Sequence, residues 1–174
     1  MPLPPYIHRP LDTDQQTLEM DKKRYQTVFS GKTGAIAAPT AGLHFTQSQL
    51  KTLRGNYADT ARLTLHVGLG TFIPIREENI ILHKMQKEYF QISPVNWNKI
   101  NQAKKKGQAV LAVGTTSTRV LETQGFENII RKSVSGWTNC FIYPGWKFRK
   151  VDHLLTNFHL PKSTLFLMVC AFMG

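Results

Sequence analysis

Val151-Asp152-His153-Leu154-Leu155-Thr156-Asn157-Phe158-His159-Leu160-Pro161-Lys162-Ser163-Thr164-Leu165 reads as a strand, a tight polar turn and a helix start. Leu154, Leu155 and Phe158 are apolar enough for a short buried strand. In such a strand Asn157 and His159 flank Phe158 and project from the opposite face. Pro161 stops the strand, and Ser163 or Thr164 can cap a helix from Leu165 to Phe172. The end of a parallel strand beside a helix N-terminus is where open α/β sheets bind ligands. An amide (Asn157), an imidazole (His159), an ammonium (Lys162) and a hydroxyl are thereby offered in one corner.

Working outward, the rest of the chain alternates strands and helices, which implies an α/β domain. Ala109-Val110-Leu111-Ala112-Val113 is a continuous apolar strand, as in a parallel sheet covered on both faces. Gly114-Thr115-Thr116-Ser117 turns from it into a helix reaching about Thr123. The unpaired amides of that turn favour an anion, and Arg119, one helical turn in, can pair with a carboxylate or phosphate. Other strands are expected at Gly34–Pro39, Ala61–Val67, Glu88–Ile92 and Thr138–Tyr143. Helices are expected from Thr13 towards Val28, from Gln47 to Leu53 behind Thr46, and from Pro94 to Lys106. The sheet is expected to be mixed but mainly parallel, with helices on both faces, and residues 1–174 to form one domain. Residues 1–10, with four prolines, read as a linker or arm.

The 22 Lys and Arg against 11 Asp and Glu give a net charge of +11, which favours a polyanionic partner, nucleic acid before membrane. The longest apolar run, Leu165 to Met173, is too short to span a bilayer. Two isolated cysteines, Cys140 and Cys170, fit buried thiols in a reducing cytoplasm. Of six histidines, His44, His66 and His159 fall at or near predicted strand ends, yet no metal-binding spacing joins them. Gly68-Leu69-Gly70-Thr71 opens like a dinucleotide fingerprint but has Ile73 at the third glycine; a loop letting a ligand approach the backbone is the better reading. Lys147, Arg149 and Lys150, interleaved with Tyr143, Trp146 and Phe148, form the basic cluster best suited to RNA.

Several stretches, in order, resemble the S-adenosylmethionine:tRNA ribosyltransferase-isomerases of queuosine biosynthesis. They include Gly34-Ala35-Ile36-Ala37-Ala38-Pro39-Thr40-Ala41-Gly42-Leu43-His44-Phe45-Thr46, Thr64-Leu65-His66-Val67-Gly68-Leu69-Gly70-Thr71-Phe72, Val113-Gly114-Thr115-Thr116-Ser117 and Thr156-Asn157-Phe158-His159-Leu160-Pro161-Lys162-Ser163-Thr164-Leu165. The resemblance implies movement of the ribosyl part of S-adenosylmethionine onto the aminomethyl-deazaguanine wobble base of tRNA, giving epoxyqueuosine and releasing adenine and methionine. S-adenosylmethionine would be a co-substrate, and neither metal nor prosthetic group is implied. On that reading His44, His66 and His159 are candidates for proton transfer. Thr115, Thr116 and Arg119 would hold the methionine carboxylate or a tRNA phosphate. Asn157 and Lys162 would orient the ribose or contact RNA, and Gly68, Gly70 and Thr71 would line the nucleoside pocket. Lys147, Arg149 and Lys150 would meet the tRNA.

The sequence departs from the family at Gln86, where a histidine is usual, and at Trp146, where a tyrosine is usual. The family's early α/β portion, its inserted β-barrel and its C-terminal strand and helix have no counterpart here. The expectation is therefore the main part of the large domain, monomeric and cytoplasmic. An inactive tRNA- or nucleoside-binding module is the alternative, and a methyltransferase using the same cofactor is a third reading.

Overall fold

The computed structural model describes residue 3, residues 7–123 and residues 134–174. Much of the proline-rich arm expected over 1–10 lies outside the described residues.

Among the described residues five α-helices and five strands follow in order: α1 (Gln15–Arg24), α2 (Gln47–Asn56), β1 (Leu63–Leu65), β2 (Glu88–Ile92), α3 (Pro94–Lys105), β3 (Leu111–Val113), α4 (Thr115–Glu122), β4 (Val134–Thr138), β5 (His153–Leu155) and α5 (Thr164–Met173). Their starts are dictated locally. Asp14, Thr46, Ser93 and Ser163 each accept the backbone N–H three residues on, supplying the acceptor that a first turn lacks. Thr46 and Gln49 do so reciprocally, as a capping box. Ser163, rather than Thr164, caps α5.

The class is α/β, but the sheet is not mainly parallel. The larger sheet is antiparallel, in the order β1-β2-β4. Parallel pairing is confined to β3 and β5, with Leu111 opposite His153 and Val113 opposite Leu155. Nor is β3 covered on both faces, since Leu111 is 55% exposed while Ala112 is buried. Gly34–Pro39 is not a strand. Ile36 N–H donates to Val67 O, and the segment passes into a short 3-10 turn, Thr40–His44. The expected strand at Thr138–Tyr143 is displaced: β4 ends at Thr138.

The main core joins both sheets. Phe90 and Ile92 of β2, Val134 of β4 and Ala112 of β3 pack with Trp97 and Ile100 of α3 and Val120 and Leu121 of α4. A second cluster seats Met168 and Ala171 of α5 on Ile142. Phe148 touches both clusters and meets Phe172 edge-on, with centroids 4.9 Å apart. Each fully buried side chain of this size contributes about 1.5–3 kcal/mol.

Asp152 fixes the start of the parallel pair. It accepts Val110 N–H at 2.7 Å and Lys104 Nζ at 2.6 Å. The lysine, then the backbone donor, holds its carboxyl below the usual range. The basic end of α3 therefore has an ion-pair partner as well as the helix dipole.

Candidate active site

The parallel strands end side by side. Beyond β3 the chain turns at Gly114, whose N–H donates to Leu155 O at 2.8 Å. Gly114 has φ +88°, a conformation that glycine adopts without strain. It is also the N-cap of α4 and supplies no side-chain acceptor to the first turn. Thr115 is buried and Thr116 half-buried at that turn. A Cβ at Gly114 would lie 3.7 Å from that of Ala41, so the Thr40–His44 turn packs against the same corner.

Beyond β5 the chain does not continue as a strand. Phe158, expected in a buried strand, is fully exposed. The cause is the hydrogen bonding of its neighbours. Asn157 Oδ1 lies 2.7 Å from His44 Nε2, and His159 Nε2 lies 3.0 Å from Thr156 Oγ1. Those two bonds turn Asn157 and His159 inward and leave Phe158 at the tip. With Oδ1 accepting, Nε2 of His44 carries the hydrogen, and among the described residues Nδ1 has no hydrogen-bond partner. His44 is exposed and opens onto a groove of about 390 Å³ that runs past Phe45, Ser48, Thr52 and Tyr57. His159 is half-buried, and burial lowers its pKa, keeping the ring neutral to more acidic pH than a free imidazole.

His66 is placed differently. Its ring stacks on Tyr89 (centroids 6.0 Å, 21°), and its Nδ1 edge lies so close to Gly34 that a Cβ there would be 2.6 Å away. Lys162 takes a left-handed conformation, φ 59°, and its carbonyl accepts Ile75 N–H at 2.8 Å. Its side chain is exposed, on the turn leading into α5.

Arg119 is turned into the interior. It is 1% exposed and pairs with the equally buried Glu88. The Gly68–Thr71 loop joins them: Gly68 N–H and Thr71 Oγ1 both donate to Glu88 Oε1, at 2.8 and 2.6 Å. Sequence reasoning missed Glu88, although alternation along β2 places it on the same face as Phe90 and Ile92. A carboxylate on an apolar face demands a partner.

The basic cluster is also divided. Glu122, 4% exposed, accepts N–H bonds from Arg149 (3.0 Å), Lys150 (2.9 Å) and Val151 (2.9 Å). That clasp sets the backbone, leaving Lys147 and Arg149 exposed. Lys150 turns inward, donating to Asn101 Oδ1 at 2.8 Å and lying over the Trp97 ring. Trp146 and Phe148 are partly buried against the core, which takes up part of their ring surface. Glu122 was legible too, because an acid in the last turn of a helix opposes the dipole and needs another reason to be there.

Cys140 is half-buried, and burial pushes its thiol up to about 11. Iodoacetamide at pH 8 should therefore alkylate Cys140 in the folded chain at least ~100-fold more slowly than in guanidinium, read by peptide mass spectrometry. Among the described residues no group of three or more His, Cys, Asp or Glu is placed to hold a metal.

The model of the queuosine biosynthesis protein family matches residues 1–174, the whole chain. The chain belongs to that family. Curated members named S-adenosylmethionine:tRNA ribosyltransferase-isomerase from Halothermothrix orenii and Acetivibrio thermocellus are each 53% identical over all 174 residues. The chain spans about half the length of these relatives, 49% in both cases. A crystal structure of this family, the S-adenosylmethionine tRNA ribosyltransferase of Thermotoga maritima, superposes with a TM-score of 0.59 at 36% identity, covering 77% of this chain and 41% of that one.

Proposed function

We propose that this chain carries the reaction centre of an S-adenosylmethionine:tRNA ribosyltransferase-isomerase, moving the ribosyl group of S-adenosylmethionine onto the aminomethyl-deazaguanine wobble base and releasing adenine and methionine. The observation that carries this is the convergence of His44, Asn157 and His159 where the β3–β5 pair ends, within a chain 53% identical to proteins of that name. The sulfonium acidifies the adjoining ribose carbon, so one histidine takes a proton there. Adenine leaves more readily when its ring is protonated or hydrogen-bonded, which calls for a second proton-transfer group. His44, held by Asn157 beside an open groove, suits the first role. His159, kept neutral by burial, suits a role that cycles between acid and base. His66 remains a third candidate, more constrained by its packing.

The uncapped first turn of α4, with Thr115 and Thr116, suits the methionine carboxylate. Gly68, Gly70 and Thr71 line the nucleoside, and Asn157 orients it through His44. Lys162, Lys147 and Arg149 offer exposed charge to tRNA. Lys150, already bonded to Asn101, adds to the local field more than to contact. In this reading residues 1–174 act as one domain, a cytoplasmic monomer requiring no metal; the packing of Phe148 against both clusters supports the single domain.

The second reading, a tRNA-binding module without turnover, is favoured by the net charge of +11 and the exposed Lys147 and Arg149. Adenine release by the purified chain, given S-adenosylmethionine and tRNA bearing the aminomethyl-deazaguanine base, separates the two. Release dependent on that tRNA is expected. Salt-sensitive tRNA binding without adenine would support the module instead.

A further inference from the structure

We infer that Glu88 and Arg119 are positioning residues for the proposed reaction, a clamp that holds the Gly68–Thr71 loop at the nucleoside. The inference rests on the functional reading above and assigns Arg119 a different task from binding a substrate anion.

The loop has little else to define it. It forms a short 3-10 turn, Leu69–Phe72, whose N-cap is Gly68, without a side-chain cap. Glu88 supplies the missing acceptor from the neighbouring strand. One carboxylate oxygen takes both Gly68 N–H and Thr71 Oγ1–H; the other takes Arg119 Nη1, 2.5 Å away. Thr71 Oγ1 in turn accepts from Arg119 Nη1 at 3.3 Å, so a single hydroxyl closes the triangle. Arg119 reaches further, donating Nε–H to Cys140 O at 3.2 Å. The clamp therefore ties the loop to β2, to α4 and to the segment after β4. Since α4 begins at Thr115, one rigid helix connects the loop to the turn proposed for the methionine carboxylate.

A core built only for stability would gain little from this arrangement. Desolvating two charges costs more than their attraction commonly returns, and apolar replacements of such pairs are often neutral or stabilising. Here, moreover, Arg119 Nη2 is buried with no acceptor among the described residues, a further cost. What the charged pair provides, and apolar side chains would not, is directional bonding to one amide and one hydroxyl of the loop.

The loop is also bounded at Gly70. A Cβ at Gly70 would lie 2.4 Å from Cδ of Gln86, two residues before Glu88. Gln86 and Glu88 thus hold the loop between contact and tether. The glutamine that stands where a family histidine is usual touches the loop backbone directly.

Thr71→Val keeps the shape and removes both hydroxyl bonds; Thr71→Ser restores the hydroxyl alone. With the purified chain, S-adenosylmethionine and the modified tRNA, Thr71→Val is expected to lose roughly 10- to 100-fold in kcat/KM for adenine release, since an ångström of misplacement costs about that much. Its melting temperature should stay within about 5 °C of wild type, and Thr71→Ser should recover most of the activity. Gly70→Ala tests the loop without touching the charges: it should lose activity by driving the new methyl into Gln86, and Gly70→Ala combined with Gln86→Ala should regain it. Wild-type kinetics in both Thr71→Val and Gly70→Ala would overturn the clamp while leaving the proposed function standing. No adenine release by the wild-type chain would remove the functional reading itself, and the clamp's catalytic role with it.

Discussion

Replacing Glu122 with alanine is expected to lower stability by on the order of 4 kcal/mol. The carboxylate accepts backbone N–H groups from Arg149, Lys150 and Val151 while being 4% exposed. Bonds to a charged acceptor are worth about 1.5–3 kcal/mol each, and removing the acceptor strands donors that water reaches poorly. The clasped segment leads directly into β5, so the parallel pair should loosen with it. For a chain of this size the melting temperature should fall by roughly 8–16 °C. Glu122→Gln should cost less but still destabilise, because its amide turns a donor toward donors. Differential scanning calorimetry of both variants checks this. A loss below about 1 kcal/mol in Glu122→Ala would mean the loop keeps its conformation without the clasp.

Replacing His159 with alanine is expected to abolish adenine release while leaving the melting temperature nearly unchanged, since the ring is half-buried and bonded only to Thr156 among the described residues. Loss of a proton-transfer group typically costs 10²- to 10⁴-fold. The pH profile carries more information than the rate. Burial lowers the pKa of this histidine, so a reaction that uses its neutral form should hold its rate below pH 6.5 and decline only as pH falls through the depressed value. The same shift makes a stability contribution that is present above the unfolded pKa and lost on acidification through the folded one. In His159→Gln any residual activity should show no acid limb at that position. His44→Ala should also lower kcat in the same adenine-release assay. Turnover by His159→Ala at the wild-type rate would remove that residue from the chemistry.

The sequence revealed elements whose causes are local. The Thr46 cap, the helix beginning at Pro94 and the strand at Glu88–Ile92 are all read from neighbouring residues, and the structure places them as expected. Sheet direction was not legible in this way. The pairing of β2 with β4 depends on partners more than 40 positions apart, Ile92 with Val134, and nothing in either strand states its orientation. The same limit explains Arg119 and Phe158. A buried arginine and a surface arginine look alike until Glu88 is known to face it, and Phe158 is apolar enough for a core that Asn157 and His159 keep it from joining. The candidate site was legible as a set of residue types gathered in short motifs. Its internal bonds, His44 to Asn157 and Glu88 to the Gly68–Thr71 loop, connect segments 113 and 20 positions apart and belong to the fold alone.

The pairing pattern has a kinetic consequence. No two strands described here form a hairpin; the shortest span closed by a ladder runs from Leu65 to Phe90, and the parallel pair joins Leu111 to His153. Each sheet contact must therefore wait for a long loop to close before any burial compensates the lost chain entropy. Helices α2, α3 and α5, with their own caps, can form transiently beforehand, but the β3–β5 end that gathers His44, Asn157 and His159 is among the last places to assemble. Folding on the millisecond-to-second scale follows from that order, and until it is complete the exposed edges of β3 and β5 are open to pairing with another chain.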